Sequence, residues 1–144
     1  MSWFIKPLLA SIAVASLGAQ TNQNTVEKVS VSCSVSVDYL INSVVAESYR
    51  KDFVVQPGAG FSDDFSTSTR QKLFRASVAR EGGNLAVAIE YFSDVSVFDS
   101  VDFNTRFTMH LGRGIQTTAG SHTFSSSQAG GNHTTNYVLA CSRL

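Results

Sequence analysis

The segment Val29–Ile41 alternates apolar and polar residues along its length. Val29, Val31, Cys33, Val35, Val37, Tyr39 and Ile41 occupy the odd positions, while Ser30, Ser32, Ser34, Ser36 and Asp38 occupy even ones. A period of two sends these sets to opposite faces of an extended strand. The pattern therefore predicts an amphipathic β-strand with one face in the core and the other in water.

The same alternation recurs further along the chain and predicts more strands. The apolar sets are Phe74, Ala76 and Val78; Leu85, Val87, Ile89 and Tyr91; Val101, Phe103, Phe107, Met109 and Leu111; and Tyr137, Leu139 and Cys141. A returning strand is expected within Ile115–Phe124, and a short one at Val95–Val97. Turn-forming sequences separate these segments, such as Glu81-Gly82-Gly83-Asn84 and Gly112-Arg113-Gly114.

The stretch Leu40–Phe53 fits both a helical stripe and a strand that begins after a turn at Asn42-Ser43. We favour the strand, because β-branched residues flank the stretch. In addition, Phe53-Val54-Val55 runs directly into the turn signal Gln56-Pro57-Gly58.

These elements predict an all-β protein, a single-domain antiparallel β-sandwich or closed barrel of seven to eight short strands. Cys33 and Cys141 both lie on apolar faces, in the first and last predicted strands. In an oxidising compartment such a pair is expected to form a disulfide. The bridge would join the first and last strands, either across two sheets or between neighbouring strands.

The N-terminus has the layout of a secretory signal peptide. Lys6 precedes an apolar run, Pro7–Leu17, and small residues follow at Gly18-Ala19. This run is shorter than the about 20 residues that a transmembrane helix needs. We therefore predict a signal peptide at 1–19 and one exported domain at 20–144, periplasmic or secreted, with no membrane span after cleavage.

Charge is balanced, with eleven Lys and Arg residues against eleven Asp and Glu. Binding to nucleic acid or to anionic lipid depends on excess positive charge. We therefore expect no nucleic-acid partner, and no motif for a cofactor is found.

The segment Gly58–Thr69 is rich in small and polar residues, which predicts a long irregular loop and a first place to look for function. Its candidate binding residues, with the arginine that follows, are two aromatics, two carboxylates and a guanidinium: Phe61, Phe65, Asp63, Asp64 and Arg70. Aromatic and arginine side chains dominate interface energetics. The two carboxylates either cap turns or bind a hard cation, although the spacing is not that of an EF-hand.

Catalytic signals are weak. No Gly-x-Ser-x-Gly sequence occurs, and the two cysteines are expected to be oxidised. His122 and His133 flank a Ser/Gly-rich connection at 125–132 and are expected to be solvated turn residues without a third metal ligand. No catalytic residue is assigned.

The function expected from these features is that of a small exported binding module with a protein or glycan partner, inhibition of that partner being one form of it. The first alternative is a subunit of an extracellular or periplasmic assembly, held together through an exposed edge strand. The second is a small secreted hydrolase.

Overall fold

The computed structural model describes residues 28–126 and 130–144. Eight strands form within these ranges: β1 Val31–Ile41, β2 Val44–Val55, β3 Gly60–Asp64, β4 Lys72–Glu81, β5 Asn84–Asp94, β6 Ser100–His110, β7 Gln116–Ser125 and β8 Asn132–Arg143. No helix in these ranges is long and apolar enough to cross a membrane. The predicted signal peptide at 1–19 lies outside the described residues.

The strands form two antiparallel sheets, ordered β2-β1-β8-β7 and β3-β4-β5-β6. The chain leaves the first sheet after β2, builds the second sheet strand by strand, and returns to form β7 and β8. Each sheet keeps two open edges, so the fold is a β-sandwich and the closed barrel is not adopted.

The core lies between the sheets and follows the predicted alternation. In β1 every odd residue from Val31 to Tyr39 is buried. Aromatic rings fill the space between the layers, with Tyr49 of the first sheet against Phe74 of the second at 5.5 Å between ring centroids. The alternation of apolar and polar residues therefore predicts which face of β1 points into the core. Burial of apolar area favours one face of a strand over the other.

The disulfide joins Cys33 and Cys141, which lie directly opposite each other on the neighbouring strands β1 and β8. Their Cα atoms are 4.1 Å apart, and both residues are buried. The bridge therefore lies within one sheet and not across the two. Such a bond is consistent with an oxidising, exported environment.

The strand prediction for Leu40–Phe53 is confirmed. Strands β1 and β2 are joined by a two-residue turn at Asn42 and Ser43, whose φ angles are 49° and 68°. Positive φ at both central residues is the geometry of the tight hairpin turns that match strand twist.

Two local predictions are wrong. The segment Gly58–Thr69 is not irregular throughout, since Gly60–Asp64 forms β3 and pairs with β4. The predicted strand at Val95–Val97 is instead a turn, because the backbone N–H groups of Val95 and Ser96 both donate to the carbonyl of Asp99 at 3.0 Å.

Candidate functional site

Four chain connections lie at one end of the sandwich, which we call the loop end. They are the β1–β2 turn at 42–43, the β3–β4 loop at 65–71, the β5–β6 turn at 95–99 and the described parts of the β7–β8 connection. Hydrogen bonds tie neighbouring connections together. Asn42 N–H donates to the Asn132 carbonyl at 2.8 Å, and Ser126 Oγ donates to Asp99 Oδ2 at 3.0 Å.

Apolar side chains are exposed on two of these connections. Five of the nine exposed large hydrophobic residues of the described chain lie here: Ile41, Val44, Val45, Val97 and Phe98. We call these five residues the apolar tip. Val97 and Phe98 are 84% and 66% exposed. Single exposed hydrophobic residues are ordinary on protein surfaces, but a group of them at one end indicates an interaction surface.

A β-bulge turns part of the apolar tip outward. The β1–β2 register passes from Tyr39 opposite Glu47 to Leu40 opposite Val45, which leaves Ala46 unmatched. Strict alternation from Tyr49 would send Val45 into the core. The extra residue reverses the side to which Val45 points, and 54% of Val45 is exposed.

A short turn presents Val97 and Phe98. Ser96 Oγ accepts hydrogen bonds from the backbone N–H groups of Phe98 at 3.1 Å and Asp99 at 2.9 Å. This serine turn fixes the backbone, so the two apolar side chains project into solvent. Two of the five residues of the apolar tip therefore lie on a hydrogen-bonded turn.

Beneath the loop end, a buried polar pair lies between β1 and β8. His133 is 1% exposed. Its Nε2 lies 3.0 Å from the Gly130 carbonyl, and its Nδ1 is bonded to the Tyr39 hydroxyl. A carbonyl only accepts, so Nε2 carries the proton and Nδ1 accepts from Tyr39. The prediction that His133 is a solvated turn residue is wrong, because its ring also stacks on Phe124 at 5.0 Å.

The environment of Tyr39 keeps its hydroxyl protonated. Burial raises the pKa of Tyr39, and the carboxylates of Asp99 and Glu47 raise it further. The neighbouring Thr135 is also buried, and its hydroxyl has no hydrogen-bond partner among the described residues. Tyr39 and Gly130 thus engage both nitrogens of the buried His133 ring.

A second polar group joins the two sheets. Glu47 on β2 accepts from Lys72 Nζ of β4 at 2.5 Å and from Ser93 Oγ of β5 at 3.0 Å. The side chains of Lys72 and Glu47 are 14% and 25% exposed. Lys72 and Glu47 form an ion pair with each other. This pair is therefore suited to holding the two sheets together and not to proton transfer.

Comparisons with protein-family models, with curated proteins and with solved structures find no match for this chain. Its function therefore has to be inferred from the chemistry of its own surfaces.

The residues predicted to bind a partner are spread over different environments. Phe61 stacks on Phe53 with 5.0 Å between ring centroids, and Phe65 stacks on Tyr49 at 4.4 Å. Both are partly buried against the core. Of the predicted aromatic and arginine anchors, Phe65 and Arg70 lie in the β3–β4 loop at the loop end, and Phe61 lies on β3.

The two predicted carboxylates point in opposite directions and do not form one site. Asp63 accepts from the Tyr49 hydroxyl at 2.8 Å and pairs with Lys51 at 3.2 Å. Asp64 is exposed and accepts from the Ser66 backbone N–H at 3.0 Å, and hydrogen bonds from Ser66 lower its pKa. Across the described ranges there is no group of three or more His, Cys, Asp or Glu residues that could hold a metal ion.

Another concave surface lies on the outer face of the second sheet. A shallow pocket of about 430 Å³ is lined mainly by short side chains of β3, β4 and β5. Arg75 and Glu90 lie at this pocket and form an exposed ion pair at 3.9 Å. It holds no convergent set of buried polar groups, so its chemistry indicates no particular ligand.

Proposed function

We propose that this domain is an exported binding module that holds a partner protein through its apolar tip. The observation that carries this proposal is the exposure of Val44, Val45, Val97 and Phe98 at one end of the sandwich. Burial of these side chains against a partner would release apolar surface from water. A rigid sandwich that gathers loops at one end is a common support for such sites.

A protein partner is favoured over a glycan by the distribution of aromatic rings. Of the phenylalanines and tyrosines in the described ranges, only Phe98 is exposed, and all four tyrosines are buried. Sugar rings are usually held against open aromatic faces with polar groups at their rim. Aliphatic side chains such as Val44, Val45 and Val97 instead match an apolar protein surface.

Export is part of the same proposal. The buried Cys33–Cys141 bond supports it, because disulfides persist in oxidising compartments. The apolar tip would then meet its partner outside the cytoplasm.

The test compares a tip variant with a matched control for capture of partners. The tip variant is Val97→Ser with Phe98→Ser, and the control is Ile115→Ser, which removes a side chain that is 77% exposed at the opposite end. Each protein is immobilised in the extracellular or periplasmic fluid of the source organism, and bound proteins are quantified by mass spectrometry. A partner held by the tip should be reduced at least about tenfold with the tip variant and retained by the control.

The identified partner is then titrated against purified wild-type and variant proteins by calorimetry. Equal affinity of the wild-type and tip-variant proteins would contradict the proposal. Thermal melts of all three proteins should coincide, because the substituted side chains are exposed.

A further inference from the structure

Four strands lie at sheet edges: β2 and β7 in the first sheet, and β3 and β6 in the second. An edge strand presents unpaired backbone N–H and C=O groups to which another chain can add. Proteins usually protect such edges by short length, charged side chains, proline or a bulge.

Three of these edges carry such protection. Strand β2 is bulged at Ala46 and bears charged residues, including Lys51 paired with Asp63. Strand β3 has five residues and ends in Asp63 and Asp64. Strand β6 bears the charged residues Asp102 and Arg106. The side chain of Gln116 also caps its last residue, His110. Gln116 Oε1 accepts from the His110 N–H and Gln116 Nε2 donates to the His110 carbonyl, each at 2.9 Å.

Strand β7 lacks all four protections. It has ten residues, Gln-Thr-Thr-Ala-Gly-Ser-His-Thr-Phe-Ser, without Lys, Arg, Asp, Glu or Pro. Its ladder with β8 runs from Gln116 to Ser125 without a register shift. Within residues 28–126 and 130–144, no strand pairs with its other edge.

We propose that β7 pairs antiparallel with β7 of a second copy of this chain, which joins two four-stranded sheets into one of eight strands. Because β7 carries no Lys, Arg, Asp or Glu, an identical strand meets no repulsion between such charges. An axis of two-fold symmetry through Gly120 keeps inward-facing residues opposite inward-facing ones. It also places Thr117 opposite Thr123 of the second copy, a cross-strand pair that stabilises sheets.

The outward-facing side chains of β7 leave room for this partner strand. Thr117, Ala119, Ser121 and Thr123 are short and exposed. Strand pairing alone buries less surface than the about 1,200 Å² of a standard stable interface. The dimer should therefore form reversibly and dissociate on dilution.

Sedimentation velocity of the disulfide-bonded protein, from about micromolar to about millimolar concentration, tests the proposal. Wild-type protein should change from monomer to dimer over this range. Ser121→Lys places two ammonium groups close to the axis and should abolish the dimer. The matched control is Val54→Lys on β2, the other edge of the same sheet, where the native side chain is 56% exposed; it should dimerise as wild type does.

Hydrogen exchange identifies the surface that pairs. Within residues 117–125, the alternate backbone amides that do not bond to β8 should become protected as concentration rises, and the edge amides of β2, β3 and β6 should not. The tip variant Val97→Ser with Phe98→Ser should still dimerise, which separates this proposal from the function proposed for the apolar tip. Monomer at every concentration, or a dimer that persists unchanged in a folded Ser121→Lys protein, would overturn it. Thr117→Lys serves as the second edge variant if Ser121→Lys does not fold.

Discussion

The ring of Tyr137 covers the backbone of Gly120 on the neighbouring strand. The two residues lie directly opposite each other on β8 and β7. A Cβ added at Gly120 would lie 2.5 Å from Tyr137 Cε1. The ring cannot easily withdraw, because it stacks on Phe103 at 5.0 Å and donates a hydrogen bond to Thr105 at 3.1 Å. The absence of a side chain at Gly120 thus lets one aromatic ring bridge the two sheets at this edge.

We expect Gly120→Ala to lower the free energy of unfolding by about 1 to 3 kcal/mol, since the added methyl group overpacks a filled site. Urea unfolding measures the change. The control is Gly114→Ala, where an added Cβ meets nothing within 4 Å. A Gly120→Ala protein as stable as the control would show that the ring moves freely.

The disulfide closes a long loop of the chain, and we expect its removal to lower the free energy of unfolding. Cys33 and Cys141 are 108 residues apart in sequence. In the chain-entropy model, opening a loop of this length destabilises a protein by about 4 to 5 kcal/mol. We therefore expect the Cys33→Ala/Cys141→Ala protein to unfold at a much lower urea concentration than the oxidised wild type. Equal midpoints would mean that the bond does not constrain the unfolded chain.

Alkaline pH should destabilise the fold through buried tyrosines. Burial raises the pKa of Tyr91 from 10.0 to about 12, with a smaller effect from Glu47. Between these values the unfolded chain loses the phenolic proton while the folded chain keeps it. The stabilising contribution is therefore complete below pH 10 and is lost as pH rises through about 12.

The free energy of unfolding should fall over this interval, measured by urea unfolding at successive pH values. Tyr91→Phe removes one of the groups responsible, so it should make the decline less steep. Tyr39 and Tyr49, whose pKa values burial also raises, account for part of the remaining decline. An unchanged slope in Tyr91→Phe would contradict the assignment.

Lys72 should matter more to stability than an exposed cation on the same strand. Its removal in Lys72→Met leaves the half-buried Glu47 carboxylate without its counter-charge, and we expect a loss of about 1 to 3 kcal/mol. The matched control is Arg75→Met. The side chains of Arg75 and Glu90 are 59% and 67% exposed, so this pair should contribute less than about 1 kcal/mol. Thermal melts of both proteins compare them directly; equal losses would contradict the role of the buried pair.

The sandwich was predictable because several long strands, β1 and β4 among them, keep a two-residue period. One face of Val29–Ile41 is apolar and the other is largely polar, and the inward positions Tyr137, Leu139 and Cys141 of the last strand are apolar as well. Such alternation leaves one low-energy orientation for the strand. The disulfide followed from parity as well, although parity could not distinguish a bond within one sheet from a bond across two.

The environments of Asp63 and His133 were not predictable, because they depend on contacts between different strands. Asp63 looked like a loop carboxylate, yet it lies beside β2 because Tyr49 and Lys51 bind it there. His133 looked solvated because its partner Tyr39 is 94 residues away.

The apolar tip gave only a faint signal. The bulge at Ala46 has no mark in the sequence, since alternation alone would send Val45 inward. Val97 and Phe98 lie between the turn-forming residues Ser96 and Asp99. This pattern is the one signal in the sequence for two exposed apolar residues on a turn. The apolar alternation at Val95–Val97 predicted a strand instead, because the hydrogen bonds of the Ser96 side chain cannot be read from periodicity.

The Cys33–Cys141 bond turns everything between these two residues into a covalent ring. A protease that cuts once at any exposed connection of this ring opens it without releasing a fragment. A nicked molecule would keep all eight strands attached to one another. A first cleavage at an exposed turn would therefore not detach the apolar tip from the sandwich.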